Sequence, residues 1–256
     1  MKALITGASS GMGRDMAKVL AKKRYDLVLI ARNKEELEKL AKQLKKENQI
    51  QVQTIACDLA KVENCQEIHK QVKDVDILIN NAGFGDCGNF SKTSLEKEIN
   101  MINTNITAYH TLMKLYLIDM KEKQSGKILN VASIAGFIPG GGPLMATYYA
   151  TKAYIVRISE GIREELKKEK SKVQISILCP GPVKTNFNKV ANVKFHLREA
   201  NSMKIAQYAI QKLEKGKFYI VPGVDVKFAK LVAKLIPAPW VSKITYLVQK
   251  RKIEKN

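Results

Sequence analysis

The chain is poor in cysteine, in acidic side chains and in long apolar runs, and each shortage narrows what it does. Its four cysteines, Cys57, Cys65, Cys87 and Cys179, lie scattered over 256 residues. They form no Cys-x-x-Cys pair and no Cys/His cluster, so reduced, structural thiols are expected and no metal is. No stretch is a continuous apolar run of the ~20 residues that a membrane span needs. The chain opens almost directly on the strand-like Lys2-Ala-Leu-Ile-Thr6, leaving no room for a leader, which makes the cytoplasm the expected compartment. Aspartate and glutamate number 24 against 44 lysines and arginines, a net charge of +20. Such a surplus suits nucleic acid or an anionic membrane. The lysines, however, are spread over many helix-like segments and mixed with glutamate, as in Lys34-Glu-Glu-Leu-Glu-Lys-Leu-Ala-Lys42. No nucleic-acid recognition motif and no aromatic–basic cluster accompanies them. Solvated helix faces account for the charge, no nucleic-acid partner is expected, and some basicity suits an anionic cofactor.

What is present is the composition of an ordinary folded protein, 45% hydrophobic and 27% charged, and long enough for one three-layer α/β core. Leu4-Ile5-Thr6 runs into Gly7-Ala-Ser-Ser-Gly11-Met-Gly13 and then into the amphipathic Arg14-Asp-Met-Ala-Lys-Val-Leu20. Strand, glycine-rich turn and helix in that order let backbone amides approach a pyrophosphate at a helix N-terminus. Asp26–Ala31 reads as a second buried strand, followed by Arg32 and by Asn33 as a helix N-cap. A guanidinium at this place suits a ribose 2′-phosphate, where a carboxylate would repel it, so NADP(H) is favoured over NAD(H). Gln51–Cys57 gives a third strand and Asp76–Asn80 a fourth, which leads into Asn80-Asn-Ala-Gly83, whose small residues let backbone approach a cofactor while the Asn side chains tie neighbouring strands. Thr93 with Glu96 predicts a capping box opening one long helix that carries Ile99, Ile102, Ile106, Tyr109, Leu112, Met113 and Tyr116 on its apolar stripe and Asn105 in its middle.

Lys127-Ile-Leu-Asn-Val-Ala-Ser133 is a fifth strand that places the Ser133 hydroxyl at a carboxyl end, where open α/β sheets bind ligands. Tyr148 and Lys152 follow, four apart and so on one helix face. An ammonium beside a phenol favours the phenolate and is expected to draw the Tyr148 pKa from ~10 toward neutrality, fitting it for general acid–base work. Lys172–Cys179 is a sixth strand, ending in Pro180-Gly-Pro-Val-Lys-Thr185, and Lys217–Gly223 contains a seventh.

The Gly-x-x-x-Gly-x-Gly spacing, Asn-Asn-Ala-Gly and Tyr-x-x-x-Lys occur here in the order found in the short-chain dehydrogenase/reductase family, and the chain resembles that family over nearly all of residues 1–190. The resemblance implies a three-layer, Rossmann-type, doubly wound α/β fold of about seven parallel strands with helices on both faces. It implies that Ser133 orients a substrate carbonyl and Tyr148 is the acid or base. Lys152 would bind the nicotinamide ribose and depress the Tyr148 pKa, and Asn105 would hold a water beside Lys152 in a proton relay. Tyr149, the neighbouring phenol, falls off the family spacing. The implied cofactor contacts are Gly7, Ser9, Ser10, Gly11, Met12 and Gly13 on the pyrophosphate side, Arg32, Asp58 and Leu59 around the adenosine, and Asn81, Ala82 and Gly83. Tyr148, Lys152, Pro180, Gly181, Val183 and Thr185 would serve the nicotinamide end.

The expected activity is an NADP-dependent oxidoreductase moving a hydride between nicotinamide and a carbonyl or secondary alcohol of an apolar small molecule. The alternative is a non-catalytic dinucleotide-binding or membrane-surface module on the same fold. Residues 1–223 form the expected catalytic domain, with a substrate lid near 186–202. Residues 224–256 form a basic amphipathic tail with one stripe at Phe228, Leu231, Val232 and Leu235, a break at Pro237 and Pro239, and a second stripe at Trp240, Ile244, Leu247 and Val248. Similar tails occur in a bacterial branch of the family. The tail is expected to pack over the cleft or against a partner subunit, with peripheral membrane contact as the other outcome. A homodimer or homotetramer through the helices around 94–121 and 148–168 is implied.

Overall fold

In a computed structural model of the chain, the structure describes residues 1–185, 187, 191, 199–223, 226 and 236–253. The first stripe of the tail, Phe228 to Leu235, and most of the expected lid lie outside the described residues. The core is one parallel sheet of seven strands in the order β3-β2-β1-β4-β5-β6-β7. The strands are β1 (Lys2–Thr6), β2 (Asp26–Ala31), β3 (Val52–Ala56), β4 (Ile77–Asn80), β5 (Lys127–Val131), β6 (Gln174–Leu178) and β7 (Tyr219–Ile220). The register runs Thr6 against Ile30 and Ile5 against Ile79, so β1 sits between β2 and β4. The order turns back at the β1/β4 junction, and open sheets of this kind form their ligand crevice at the carboxyl ends of such strands.

The strands read as near-continuous apolar runs because both faces are covered. Ala3, Ile5, Leu27 and Leu29 pack on one side with Met16, Leu20, Leu37, Leu40 and Ile210 from helices α1 (Gly11–Lys22), α2 (Lys34–Asn48) and α7 (Ser202–Glu214). Leu4, Val28 and Ile30 pack on the other with Ile68, Tyr109, Leu112, Ile155 and Val156 from α3 (Val62–Gln71), α5 (Ala108–Glu122) and α6 (Ala146–Lys168). Alternate residues of one strand therefore serve opposite layers, which is the period-2 geometry of a strand buried twice. Each fully buried Leu or Ile in these layers contributes about 1.5–3 kcal/mol over leaving it exposed.

Two expectations about the middle of the chain change. Helix α4 (Leu95–Ile102) is capped by Ser94, whose side chain accepts from the Lys97 amide; Thr93 instead bonds Glu98 and the Phe90 carbonyl. Lys, not Glu or Gln, stands three residues after the true cap, so no reciprocal capping box forms. The long helix is also interrupted by a π-helical turn at Asn103–Thr107. Such turns insert one extra residue and often mark functional positions, and this one carries Asn105 with no exposed surface.

The chain ends in α8 (Ala238–Ile253). Pro239 stands in its first turn, where no intrahelical N–H is required. Trp240 and Val241 amides both bond the Pro237 carbonyl. The buried face is not the one the apolar stripe indicated. Val241 and Gln249 are buried, while Trp240, Ile244 and Leu247 are 67%, 53% and 59% exposed. Ser242 anchors the helix by donating to the Gly140 carbonyl at 2.7 Å, and a Cβ on Gly140 would meet Ser242 Oγ at 2.3 Å. The absence of a side chain at Gly140 is thus what allows the helix to lie against the loop before α6.

Candidate active site

Six of the seven strands, all but β7, deliver at their carboxyl ends a residue that the sequence singled out. After β1, Gly7 and Gly11 adopt φ of +64° and +53°, a region that side-chain-bearing residues rarely enter. A Cβ on Gly7 would lie 2.9 Å from Ala82 Cα, and one on Gly11 would lie 3.1 Å from Thr185. Ser10 caps α1 without a side-chain hydrogen bond, and the first turn holds no acidic residue, so the amides there are open to an anion. Gly13 differs from its neighbours. It does not line the groove, and a Cβ on it would stand 2.3 Å from the Gly7 carbonyl oxygen. It serves close packing of α1 on the loop.

The groove so formed has a volume of about 370 Å³. Its walls include Gly7, Ser9, Ser10, Gly11 and Met12 from the first loop, Arg32 beyond β2, and Asp58 and Leu59 beyond β3. Asn81, Ala82 and Gly83 beyond β4 complete it. Asn81 is locked in place by donating from Nδ2 to the Thr6 carbonyl at 2.9 Å, while Thr6 Oγ1 accepts from the Asn81 and Ala82 amides at 2.9 and 3.0 Å. Behind them Asn80 donates to Asn130 at 3.1 Å across β4 and β5. The paired asparagines therefore hold the two central strand ends together.

A second cavity of about 530 Å³ adjoins the first, sharing Met12, Asn81, Gly83, Thr185 and Phe187 with it. Ser133, Tyr148, Lys152, Pro180, Gly181 and Val183 all line it. Ser133 lies two residues past β5, where its Oγ accepts from the Ala135 amide at 3.2 Å and its side chain hydrogen-bonds Tyr148. Tyr148 and Lys152 share a face of α6, with the Lys152 Nζ 5.8 Å from the Tyr148 ring centroid. Lys152 is 5% exposed and donates to the Val131 carbonyl at 3.0 Å. It is the one charged side chain lining this cavity among the described residues. The rest of the wall is mainly apolar, including Ile134, Ile138, Met145, Pro182, Ile236 just before α8 and, from α8, Val241, Ile244 and Val248.

The electrostatics depart from expectation. Burial pushes the Tyr148 phenol up to about 12, with the Ser133 hydrogen bond pulling the other way. Burial pushes the Lys152 ammonium down to about 8, opposed by Cys179. The expected pull of Lys152 does not bring the Tyr148 phenol toward neutrality. The ammonium sits over the ring face and spends its hydrogen bond on Val131, so desolvation wins at both groups. Asn105 is likewise committed within the protein. It accepts from the Phe84 amide at 3.1 Å and donates to the Phe84 carbonyl at 2.9 Å and to Thr151 at 3.1 Å. Its side chain pins the loop after β4 beside Lys152, since a Cβ on Gly83 would meet Asn105 Oδ1 at 2.8 Å and Lys152 Nζ at 3.6 Å.

Sequence reasoning missed three parts of this wall. Phe187 packs on Tyr148 with ring centroids 5.3 Å apart and stands at the junction of the two cavities. Tyr149, set aside as off-spacing, lines the second cavity, as does Gln249 from α8, and the Gln249 Nε2 donates to the Tyr149 hydroxyl at 2.7 Å. A polar residue at the i+8 position from Val241 was the available signal for the last.

Fold and crevice together define a nucleotide-binding α/β oxidoreductase. Residues 1–194 match the family model described as short chain dehydrogenase, and the chain belongs to that family. It is similar to the very-long-chain 3-oxoacyl-CoA reductase-A of Danio rerio, at 33% identity over 178 residues, 64% of this chain but only 53% of that protein's length. Among solved structures it resembles a short-chain dehydrogenase from Sphingobium yanoikuyae in complex with NADPH, with a TM-score of 0.82 and 27% identity, covering 91% of this chain and 93% of that one. It also resembles a bulky-bulky ketone specific alcohol dehydrogenase from Comamonas testosteroni, with a TM-score of 0.79 and 26% identity, covering 91% of both chains.

Proposed function

We propose that the protein is an NADP-dependent carbonyl reductase or alcohol dehydrogenase acting on an apolar small molecule. The observation that carries this reading is the convergence of Ser133, Tyr148 and Lys152 on an apolar-walled cavity that opens into the glycine-loop groove. A pure binding module has no use for that trio.

The residues present fit a nicotinamide dinucleotide. Glycines at positive φ and the uncapped start of α1 suit a pyrophosphate, and exposed Arg32 suits a 2′-phosphate. Asp58 and Leu59 would flank the adenosine. Pro180, Gly181, Val183 and Thr185 would face the nicotinamide end, and Lys152 and Tyr148 would hold its ribose. When bound, the cofactor supplies or accepts the hydride. The chain supplies the rest. Ser133 holds the substrate oxygen by its hydroxyl. Tyr148, a neutral phenol because burial raises its pKa, gives the proton to that oxygen during reduction and takes it back during oxidation. Lys152, charged below about pH 8, stabilises the phenolate that Tyr148 leaves behind. Asn105 acts by fixing the loop against which Lys152 lies. Apolar walls exclude water from the transfer.

Residues 1–223 serve as the catalytic domain, with the lid near 186–202 and α8 as part of its substrate wall. Three of the exposed apolar side chains, Leu95 and Ile99 on α4 and Ile118 on α5, support self-association through the helices of residues 94–121. Exposed Trp240, Ile244 and Leu247, flanked by Lys243, Lys250 and Arg251, support a peripheral membrane contact for α8. Four free cysteines suit the reducing cytoplasm.

The test is NADPH oxidation against a panel of apolar ketones and aldehydes, with NADH and Tyr148→Phe in parallel. NADPH-driven turnover is expected, reduced about 10²–10⁴-fold in Tyr148→Phe with cofactor binding retained. Turnover that survives Tyr148→Phe overturns the mechanism, and equal use of NADH overturns the role of Arg32.

A further inference from the structure

The substrate cavity contains a second polar feature that the chemistry at Tyr148 does not use. Gln249 is 1% exposed, and a carboxamide buried that deeply is costly unless both of its ends are bonded. Its nitrogen donates to the Tyr149 hydroxyl at 2.7 Å, but its Oε1 has no partner among the described residues. If the amide is turned over, the nitrogen becomes the end without one, so one end is open in either setting. The Tyr149 oxygen already accepts from Gln249, which leaves its O–H free to donate. Burial pushes the Tyr149 phenol up to about 12, so that proton is in place at neutral pH. The pair therefore offers one donor and one acceptor side by side on the wall of a mainly apolar cavity.

Its placement is held firmly. The Tyr149 ring packs against Gly142, where a Cβ would come within 2.2 Å of it. Helix α8 is anchored by Ser242 on Gly140. The Tyr149 ring lies 6.2 Å, centroid to centroid, from that of Tyr148. We propose that Tyr149 and Gln249 form a substrate subsite that recognises a neutral hydroxyl or carboxamide group remote from the reacting carbonyl. This rests on the reductase reading of the same cavity. The substrate class is then a ketone or aldehyde whose body is apolar and which carries one uncharged hydrogen-bonding group. A carboxylate does not suit the subsite, because the only cation on the described cavity wall is Lys152, at Tyr148. A hydrogen bond that fills an open buried partner is worth about tenfold or more in discrimination.

The test uses the full chain loaded with NADPH and chain-matched alkyl aryl ketones, one purely apolar and the others ending in a primary hydroxyl or a carboxamide. Two ratios are measured, kcat/KM by NADPH oxidation and Kd by calorimetry, for the wild type, Gln249→Met and Tyr149→Phe. The expected result is a preference of about tenfold or more for at least one polar-ended ketone in the wild type, lost in both variants, with the apolar ketone bound as well or better by Gln249→Met. The same ratio in all three proteins, or no binding of any of the ketones, overturns the subsite. Normal Kd ratios without turnover leave the subsite standing and overturn the reductase reading. Turnover with flat ratios does the reverse. The hydroxyl and carboxamide arms distinguish which of the two groups the subsite takes.

Discussion

Lys152 is a buried ammonium, and its displacement from an ordinary lysine value of 10.5 to about 8 has a thermodynamic consequence that needs no substrate. Between those two values the unfolded chain holds a proton on this lysine that the folded chain has released. Stability rises with pH wherever the unfolded state binds more protons, so the wild type gains stability from about pH 8 to 10.5. At 1.36 kcal/mol for each pH unit the gain is about 3 kcal/mol, all of it a cost of burying the charge at lower pH. Lys152→Met removes the titrating group while keeping much of its volume. The Val131 carbonyl that loses Lys152 still accepts from the Tyr109 hydroxyl at 3.1 Å, so no buried acceptor is orphaned. The methionine variant is expected to be the more stable protein at pH 7. Its advantage should shrink by about 2–3 kcal/mol by pH 10, roughly 5 °C in Tm for a chain of this length. Buried tyrosines such as Tyr109 and Tyr148, pushed up by burial, oppose this trend above pH 10 in both proteins and cancel in the difference. The assay is urea unfolding of the cofactor-free proteins at half-unit steps from pH 7 to 10. A difference that stays constant across that window refutes the argument that desolvation controls Lys152.

The same titration predicts that reductive kcat/KM with NADPH falls as pH rises through about 8, because Lys152 loses the charge that supports the Tyr148 phenolate; a pH–rate profile flat to pH 10 would count against it. Gly13→Ala puts a methyl 2.3 Å from the Gly7 carbonyl, and is expected to cost about 1–3 kcal/mol as overpacking and to weaken NADPH binding, read by denaturant unfolding and calorimetry. Arg32→Glu is expected to reverse the cofactor preference, lowering kcat/KM for NADPH by about tenfold to a hundredfold while leaving NADH use nearly unchanged; parallel loss with both cofactors would assign Arg32 to stability instead.

Most of the fold was legible because its local rules agree. Strands buried on two faces give unbroken apolar runs, and the first four runs end at a small or polar residue on the carboxyl edge, at Thr6, Ala31, Ala56 and Asn80. The boundaries slipped where hydrogen bonding, not hydropathy, sets them: β7 is only Tyr219–Ile220, shorter than the strand and exit turn that Lys217–Gly223 suggests. Thr93 and Ser94 are equally good caps by type, and only the backbone path shows that Ser94 holds the position. The π-helical turn at Asn103–Thr107 has no sequence signature, since one inserted residue preserves the apolar stripe on either side.

The site divides along the same line. Positions specified by backbone needs, such as Gly7 and Gly11 at positive φ, could be named from the chain alone. Charge states could not, because they depend on burial contributed from far away: α6 alone sets Lys152 four residues from Tyr148, but the sheet and the loop after β4 enclose it. Proximity in sequence suggested that the ammonium would acidify the phenol, and enclosure gives the opposite direction at both groups. The same holds for Gln249, whose meaning comes from a partner 100 residues earlier. Helix α8 turns a polar residue, not its most apolar stripe, toward the core, which is a poor choice for stability alone. A buried carboxamide with one bonded end makes sense where a ligand completes it, so the reactive end of the cavity is written in the family motifs and the selective end in the tail that lies beyond them.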